Sequence, residues 1–451
     1  MTKAPDFENV STRQRRIAGL ASQSPQMAFT SLNQYLDLSW LYEAYRRTRK
    51  DGAVGVDGQT AADYERDLEG NLRSLLERAK SGTYRAPPVR RTYIPKGTSG
   101  DTRPIGIPTL EDKILQRAVV MLIEPIYEQD FHDCSYGFRP GRSAHQALQS
   151  LWEQTMQSGG GWILEVDIRK FFDTLGHGHL RALLQQRVRD GVVLRLIGKW
   201  LNAGVPEDGA LSYPDTGSPQ GGVISPMLAN IYLHYVLDEW IARDVLPRLK
   251  GRVFVVRYAD DFVIGFTRED DARRVWDVLP KRFDKYGLTV HPEKTRLIPF
   301  RRPPTRPAPK GQPPADPPGT FDLLGFAHYW ARSRKGNWVV KRKTAPSRFT
   351  RAVTKIAQWC QIHRHHPIVE QHQTLSQKLR GHFAYYGITG NSIALARFRQ
   401  VVQRVWWEGL GRRRGGNRPT WAKFLQFEQR WPLPPPIALH SVCRVRSQGV
   451  T

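Results

Sequence analysis

Acidic residues all but disappear from the last third of this 451-residue chain. Positions 301–451 hold five Asp and Glu against 27 Lys and Arg, a net of +22. Positions 1–300 hold 37 against 41, so the total of +26 is concentrated at one end. Cysteine is also scarce. Cys134, Cys360 and Cys443 stand far apart, which excludes a disulfide framework and a cysteine zinc site from this chain alone. No stretch approaches the ~18 uncharged apolar residues of a membrane span. The early basic residues Arg13, Arg15 and Arg16 are followed by no apolar run of the secretory kind. The expectation is a cytoplasmic protein with no membrane association. No Gly-x4-Gly-Lys-Ser/Thr string occurs, which excludes a P-loop.

What is present reads as globular. The chain is 40% hydrophobic and 24% charged, with 13 Trp, 16 Tyr and 18 Phe, enough for two or three domains with real cores. The cationic block has Trp359, Trp406, Trp407, Trp421 and Trp431 interleaved. That combination points to a polyanionic partner, most simply nucleic acid. The competing reading is a solvated basic surface.

Periodicity marks the elements. Residues 1–30 read as polar and loose. Leu32, Tyr35, Leu36, Trp40, Leu41, Ala44 and Tyr45 predict a helix over Ser31–Lys50, and a second runs over Ala61–Lys80 to a stop at Gly82. Arg91–Pro95 and Arg103–Pro108 read as the strands of a hairpin. Leu110–Tyr127 is a long amphipathic helix, Trp162–Asp167 an apolar strand, and Leu180–Gly204 mostly helical. Pro226–Trp240 opens with Pro, as first helical turns allow. Arg301–Gly319 has eight prolines in 19 residues and reads as an exposed insertion. Phe321–Tyr329 and Trp338–Val340 read as strands, residues 347–408 as basic helices, and the tail beyond Pro432 as unstructured.

The carboxylates carry the chemistry. Arg252–Tyr258 and Phe262–Phe266 are apolar strands separated only by Ala259, Asp260 and Asp261, a hairpin with two acids at its tip. Hairpin turns favour Asn-Gly or Asp-Gly. Adjacent carboxylates beside a core repel each other unless a cation neutralises them, although an exposed turn also holds Asp readily. A second acidic strand end, Asp167 followed by Phe171, Phe172 and Asp173, turns the balance towards a divalent metal site. Mg²⁺ takes hard oxygen ligands and leaves positions for phosphates and water. Two such ions suit an in-line phosphoryl displacement.

Three strings in order, Val166-Asp-Ile-Arg-Lys-Phe-Phe-Asp173, Gly217-Ser-Pro-Gln-Gly-Gly-Val-Ile-Ser-Pro226 and Arg257-Tyr-Ala-Asp-Asp261, resemble the catalytic motifs of reverse transcriptases. Tyr93-Ile-Pro-Lys96, Arg103–Pro108, Ser135-Tyr-Gly-Phe-Arg-Pro140, Gly287–Lys294 and Phe321-Asp-Leu-Leu-Gly-Phe326 resemble the bacterial group II intron type. The likeness runs over roughly residues 30–430. It implies an α+β right-hand polymerase, with an antiparallel palm sheet followed by an all-α basic thumb or maturase domain. The implied boundaries are a loose segment 1–30, an N-terminal extension and fingers 31–165, and a palm 166–340 with fingers helices 180–215 and the insertion 301–319. A thumb 341–431 and a tail 432–451 follow.

By that resemblance Asp167, Asp260 and Asp261 bind two Mg²⁺ ions, with Mn²⁺ as a substitute, for attack of a primer 3′-hydroxyl on a deoxynucleoside triphosphate. Lys96 and Arg103 would grip the triphosphate; the plain alternative is an exposed basic hairpin. Ile168, Phe172 and Gln220 would line the nucleotide pocket, Phe172 excluding a 2′-hydroxyl, or merely pack. Lys294 would approach the leaving pyrophosphate, or be solvated. His363, His365 and His366 are read as phosphate or water contacts ahead of zinc ligands, and His177 and His179 as loop residues. Implied partners are an RNA template, a DNA primer, deoxynucleotides, a group II intron RNA and target DNA, with a homodimer left open. No Cys-x-x-Cys follows Trp431, so a cysteine-paired nuclease module and DNA cleavage are not expected. Rival readings are a host-domesticated bacterial reverse transcriptase in CRISPR or phage defence, a splicing factor with a relict polymerase fold, and an RNA-templated RNA polymerase.

Overall fold

A computed structural model of the chain describes residues 7–95, 102–203, 205–207, 210–212, 217, 221–305, 318–412 and 420–440. Its strands there are β1 (Arg90–Pro95), β2 (Thr102–Ile107), β3 (Gly160–Val166), β4 (Val205–Glu207), β5 (Ala210–Ser212), β6 (Val253–Tyr258), β7 (Asp261–Phe266), β8 (Arg296–Arg301), β9 (Phe321–Leu323), β10 (Phe326–Arg332) and β11 (Trp338–Thr344). Sheets and helices are both present, the α+β class expected. A four-stranded sheet has the order β6-β7-β3-β8. No helix among the described residues is long and apolar enough to cross a membrane.

The chain divides into two compact units. The first comprises Met1–Ala147, Val166–Ile264 and Arg268–Arg296. Its central element is the Leu110–Asp130 helix, whose Ile114, Leu115, Ala118, Leu122, Ile123 and Ile126 are wholly buried. Thr109 opens that helix by accepting a hydrogen bond from Asp112 N at 3.2 Å. Residues 1–30, expected to be loose, instead carry a helix over Phe7–Gln23. Val10, Ile17 and Ala21 of that helix enter the core, and Gln14 donates to the Met121 carbonyl at 3.0 Å.

Two expected helices are interrupted by caps. The predicted Ser31–Lys50 helix is a 3₁₀ turn, Leu32–Tyr35, and then an α-helix, Leu38–Arg47. Asp37 separates them by capping Trp40 N at 2.9 Å. Leu180–Gly204 resolves into His177–Leu184 and Gly191–Leu201, because Asp190 accepts from Val192 N and Val193 N. The predicted Pro226–Trp240 helix begins at Ser225, and at His234–Asp238 widens to a π-turn. The expected hairpin is observed, β1 pairing antiparallel with β2 from Arg90↔Ile107 to Pro95↔Thr102.

The second unit comprises Leu148–Glu165, Gly265–Thr267 and Leu297–Thr451. β10 pairs antiparallel with both β9 and β11. Helices Pro346–Ile362, Ile368–Tyr386, Ser392–Leu410 and Trp421–Arg430 follow. They enclose Ile356, Leu375, Leu379, Phe398, Val402 and Trp406. Here the aromatic reading needs correction. Trp406 is 1% exposed, and its Nε1 donates to Gln371 Oε1 at 3.0 Å. Trp406 is therefore a core residue, and Trp359, Trp407 and Trp431 are half-buried against that core. The tail beyond Pro432, expected to lack structure, returns to the Ile368–Tyr386 helix: Leu433 is buried, and His440 donates through its backbone to the Gly387 carbonyl at 2.9 Å.

Candidate active site

The three aspartates come from two neighbouring strands. Gly161, at the start of β3, lies against the Phe266 carbonyl at the end of β7. The strands therefore run antiparallel, and Asp167, just past the end of β3, falls at the edge where Asp261 opens β7. Asp260 precedes it in the turn. The Asp167 backbone is fixed by the following segment: its carbonyl accepts from His291 N at 2.8 Å, and Arg169 N donates to Thr289 O at 2.8 Å. That pairing brings Lys294 Nζ to 3.3 Å from Asp167 Oδ2, with both side chains about half exposed. Asp260 is half-buried and Asp261 exposed. A partly solvent-facing set of hard carboxylate oxygens at one sheet edge fits a divalent cation that also takes water and phosphate.

The turn that carries Asp260 is held from behind. Ala259 has φ +57°, unfavourable for a residue with a Cβ. Its carbonyl accepts from Arg257 Nη1 at 3.1 Å. Arg257 is wholly buried. It also donates to both carboxylate oxygens of Asp238, at 2.5 to 3.2 Å, and to Asn230 Oδ1 at 3.1 Å. Asn230 Nδ2 in turn donates to the Gly137 carbonyl at 2.7 Å. A Cβ on Gly137 would lie 2.4 Å from Ala259 N, so only glycine lets the Ser135–Pro140 segment rest on the turn. Arg257, Asp238 and Asn230 were missed as site residues. The available signal was a lone arginine in the apolar run Val253-Phe-Val-Val-Arg-Tyr258.

The nucleotide-pocket residues divide. Ile168 is buried and bridges antiparallel to Val290, so its side chain belongs to the core. Phe171 is buried and Phe172 half-buried, their rings edge to face at 5.3 Å. Gly217 N donates to the Leu175 carbonyl at 2.8 Å, and the Gly217 carbonyl meets His177 Nε2 at 2.6 Å. His177 is thus an anchor at a helix start and not the loop residue expected. A Cβ on Gly221 would stand 2.4 Å from the Gly106 carbonyl, so Gly221 abuts β2. Arg103 pairs with Ile94 in that hairpin. Lys96, Gln220 and the Arg103 side chain lie outside the described residues.

Other ligand-type residues have protein partners. Among the described residues, His132, His234 and Glu239 bring ligand atoms within 4.8 Å of one another. Glu239 is bonded to His132 Nε2 at 2.8 Å and to Arg243 at 2.6 Å. Burial pushes His234 down to about 3, with His132, Arg257, Arg243 and Arg139 adding positive potential that disfavours a further cation. His363 Nδ1 meets the Trp359 carbonyl at 2.9 Å, and His366 Nδ1 lies 3.3 Å from Glu370.

Carboxylates gathered at a strand edge suit metal-assisted phosphoryl transfer. The comparisons agree. The family described as "Reverse transcriptase (RNA-dependent DNA polymerase)" matches residues 94–328, more than half of the chain. The chain belongs to the reverse transcriptase family. It is similar to Protein YkfC of Escherichia coli (strain K12), 37% identical over 287 residues, 56% of this chain and 75% of that protein. It is 38% identical over 229 residues to Group II intron-encoded protein LtrA of Lactococcus lactis subsp. cremoris, covering 50% of this chain and 37% of LtrA. Nuclear intron maturase 2, mitochondrial, of Arabidopsis thaliana is 36% identical over 87 residues, 19% of this chain and 12% of the relative. The chain thus spans well under half of LtrA. These relatives place it with the group II intron-encoded reverse transcriptases and maturases, whose family uses divalent metal ions and works on nucleic acid.

Proposed function

We propose that the chain is the RNA-directed DNA polymerase of a group II intron and also acts as a maturase that binds the intron RNA. The observation that carries the polymerase reading is the convergence of Asp167, Asp260 and Asp261 at one sheet edge, on a turn braced by buried Arg257. In this reading the N-terminal extension and fingers are residues 31–165, the palm 166–340 and the thumb 341–431. The maturase reading rests on the named intron relatives and on the +22 charge of residues 301–451. Phosphate contacts there give salt-sensitive binding, and specificity needs RNA shape and unpaired bases.

In this reading Asp167, Asp260 and Asp261 hold two Mg²⁺ ions, with Mn²⁺ as the substitute. Bound there, the ions lower the barrier by stabilising the entering and leaving oxygens. The remaining work belongs to the chain. Arg257 fixes the Ala259 carbonyl, and so the direction in which Asp260 and Asp261 face. Phe172 fills the space beneath the sugar and excludes a 2′-hydroxyl. Gln220 contacts the incoming nucleotide. Lys96 and Arg103 hold the triphosphate, with Arg offering a two-pronged donor. Lys294, already beside Asp167, neutralises charge at the leaving pyrophosphate.

The test is primer extension on an RNA template with deoxynucleotides and Mg²⁺. Extension by the wild type that disappears in Asp260→Ala/Asp261→Ala supports the polymerase. A folded, RNA-binding wild type that extends nothing refutes it. Accelerated splicing of the flanking intron RNA by that same polymerase-dead variant checks the maturase role separately.

A further inference from the structure

Three of the four non-glycine residues with positive φ among the described residues surround the aspartates: Phe138 at +56°, Lys170 at +47° and Ala259 at +57°. Such backbone persists only where the surroundings enforce it, and it gathers at functional sites. Lys170 turns the chain three residues after Asp167, and Ala259 precedes Asp260. Phe138 has no such excuse. A bulky aromatic is a poor choice for the left-handed region, and this one gains nothing from burial, since it is 58% exposed.

Its neighbours leave it no other position. Gly137 is wedged against Ala259 N and the Tyr258 carbonyl carbon. On the other side Arg139 is buried. It donates to Glu128 at 3.1 and 3.2 Å and to the His132 and Ser135 carbonyls at 2.8 Å. The ring is thus presented to solvent 6.1 Å from that of Tyr258, and Tyr258 lies two residues from Asp260.

We propose that Phe138 packs against the primer–template duplex at its 3′-terminal base pair, and so forms with Tyr258 an apolar contact beside the metal-binding aspartates. This rests on the polymerase reading. A primer 3′-hydroxyl must reach Asp167, Asp260 and Asp261, and successive base pairs are only ~3.4 Å apart. A ring beside Tyr258 is therefore within reach of the terminal pair and its neighbour. Aromatic faces bind bases with little sequence preference, which suits an enzyme that must hold any primer end. The sugar-excluding role assigned to Phe172 is separate: Phe172 acts on the incoming nucleotide, Phe138 on the duplex already made.

Three variants test this by fluorescence anisotropy with a labelled primer–template, alongside thermal unfolding and primer extension. Phe138→Gly relieves the backbone and is expected to unfold at the same or a higher temperature while binding the duplex about tenfold more weakly. Phe138→Leu keeps bulk without the ring and is expected to bind weakly too. Phe138→Tyr is expected to bind as wild type. Wild-type affinity in Phe138→Gly or Phe138→Leu, or weak binding in Phe138→Tyr, overturns the proposal. Loss of extension by the wild type itself would refute the polymerase reading; the binding measurements are independent of it.

Discussion

Arg257 Nη1 donates to the Ala259 carbonyl at 3.1 Å from a position with no solvent exposure. One side chain of β6 thereby fixes the turn at that strand's own end. The rest of its guanidinium is spent on Asp238 and Asn230, both from the segment that begins at Ser225. Removing one partner of a buried ion pair strands the other charge and destabilises by ~3–5 kcal/mol. Asp238→Ala is therefore expected to lower stability by about that amount in urea unfolding. Arg257→Lys keeps the charge but loses the fork. Its expected signature is a lower kcat with little change in the deoxynucleotide KM, because the turn moves and the nucleotide contacts do not.

Gly221 has φ +113°, and a Cβ there would meet the Gly106 carbonyl at 2.4 Å and Ile105 Cγ2 at 2.7 Å. The backbone carbonyl cannot swing aside as a flexible side chain would. Gly221→Ala is expected to push the chain at residue 221 off β2 and raise the deoxynucleotide KM by about tenfold, ~1.4 kcal/mol of lost binding, with primer–template affinity unchanged. Steady-state titration of one deoxynucleotide on a homopolymeric template checks it.

The residues legible in the sequence are those whose chemistry demands fixed types in contiguous strings. Asp260 and Asp261 stand at a hairpin tip, where turn preference alone would place a glycine. Arg257–Asp238 was not legible, because the two lie 19 residues apart and meet only when a strand packs on a helix. The Phe7–Gln23 helix escaped because Val10, Ile17 and Ala21 are sparse apolar points among Arg and Gln. Trp406 shows the limit of composition: a tryptophan in a basic segment serves equally as a stacking face or as core, and only packing decides. Asp37 and Asp190 mark breaks that periodicity runs straight through, since a cap replaces one helix by two without disturbing the apolar spacing.

Lys294 and Asp167 are each about half exposed at 3.3 Å, so their pairing contributes at most ~1 kcal/mol to stability. Lys294→Gln is accordingly expected to unfold within ~1 kcal/mol of wild type. Its effect falls on catalysis. On the proposed reading a cation held by Asp167 would free the ammonium for the phosphates, where a charged hydrogen bond would be worth ~1.5–3 kcal/mol. Single-turnover incorporation is expected to slow about tenfold or more. An unchanged rate would assign Lys294 to the solvated surface.

Asp112 gives the first unit a distinct pH dependence. It is buried in the Leu110–Asp130 helix and accepts from the Tyr84 hydroxyl and, at 3.1 Å, from Trp200 Nε1. Burial pushes its carboxyl up to about 6, outweighing those two hydrogen bonds, which pull the other way. The folded value lies above the ordinary 3.8, so the folded state binds the proton more tightly than the unfolded one. The contribution is fully present below pH ~4, and is lost as pH rises through about 6. The loss amounts to ~3 kcal/mol. Asp112→Asn keeps an acceptor oxygen for Tyr84 and Trp200 but cannot ionise. The variant's unfolding free energy is expected to lose this fall between pH 4 and 7 and, above pH 7, to equal or exceed that of wild type. Parallel urea titrations across that range check both the slope and its sign. A wild-type slope that survives in Asp112→Asn would show that other groups carry it.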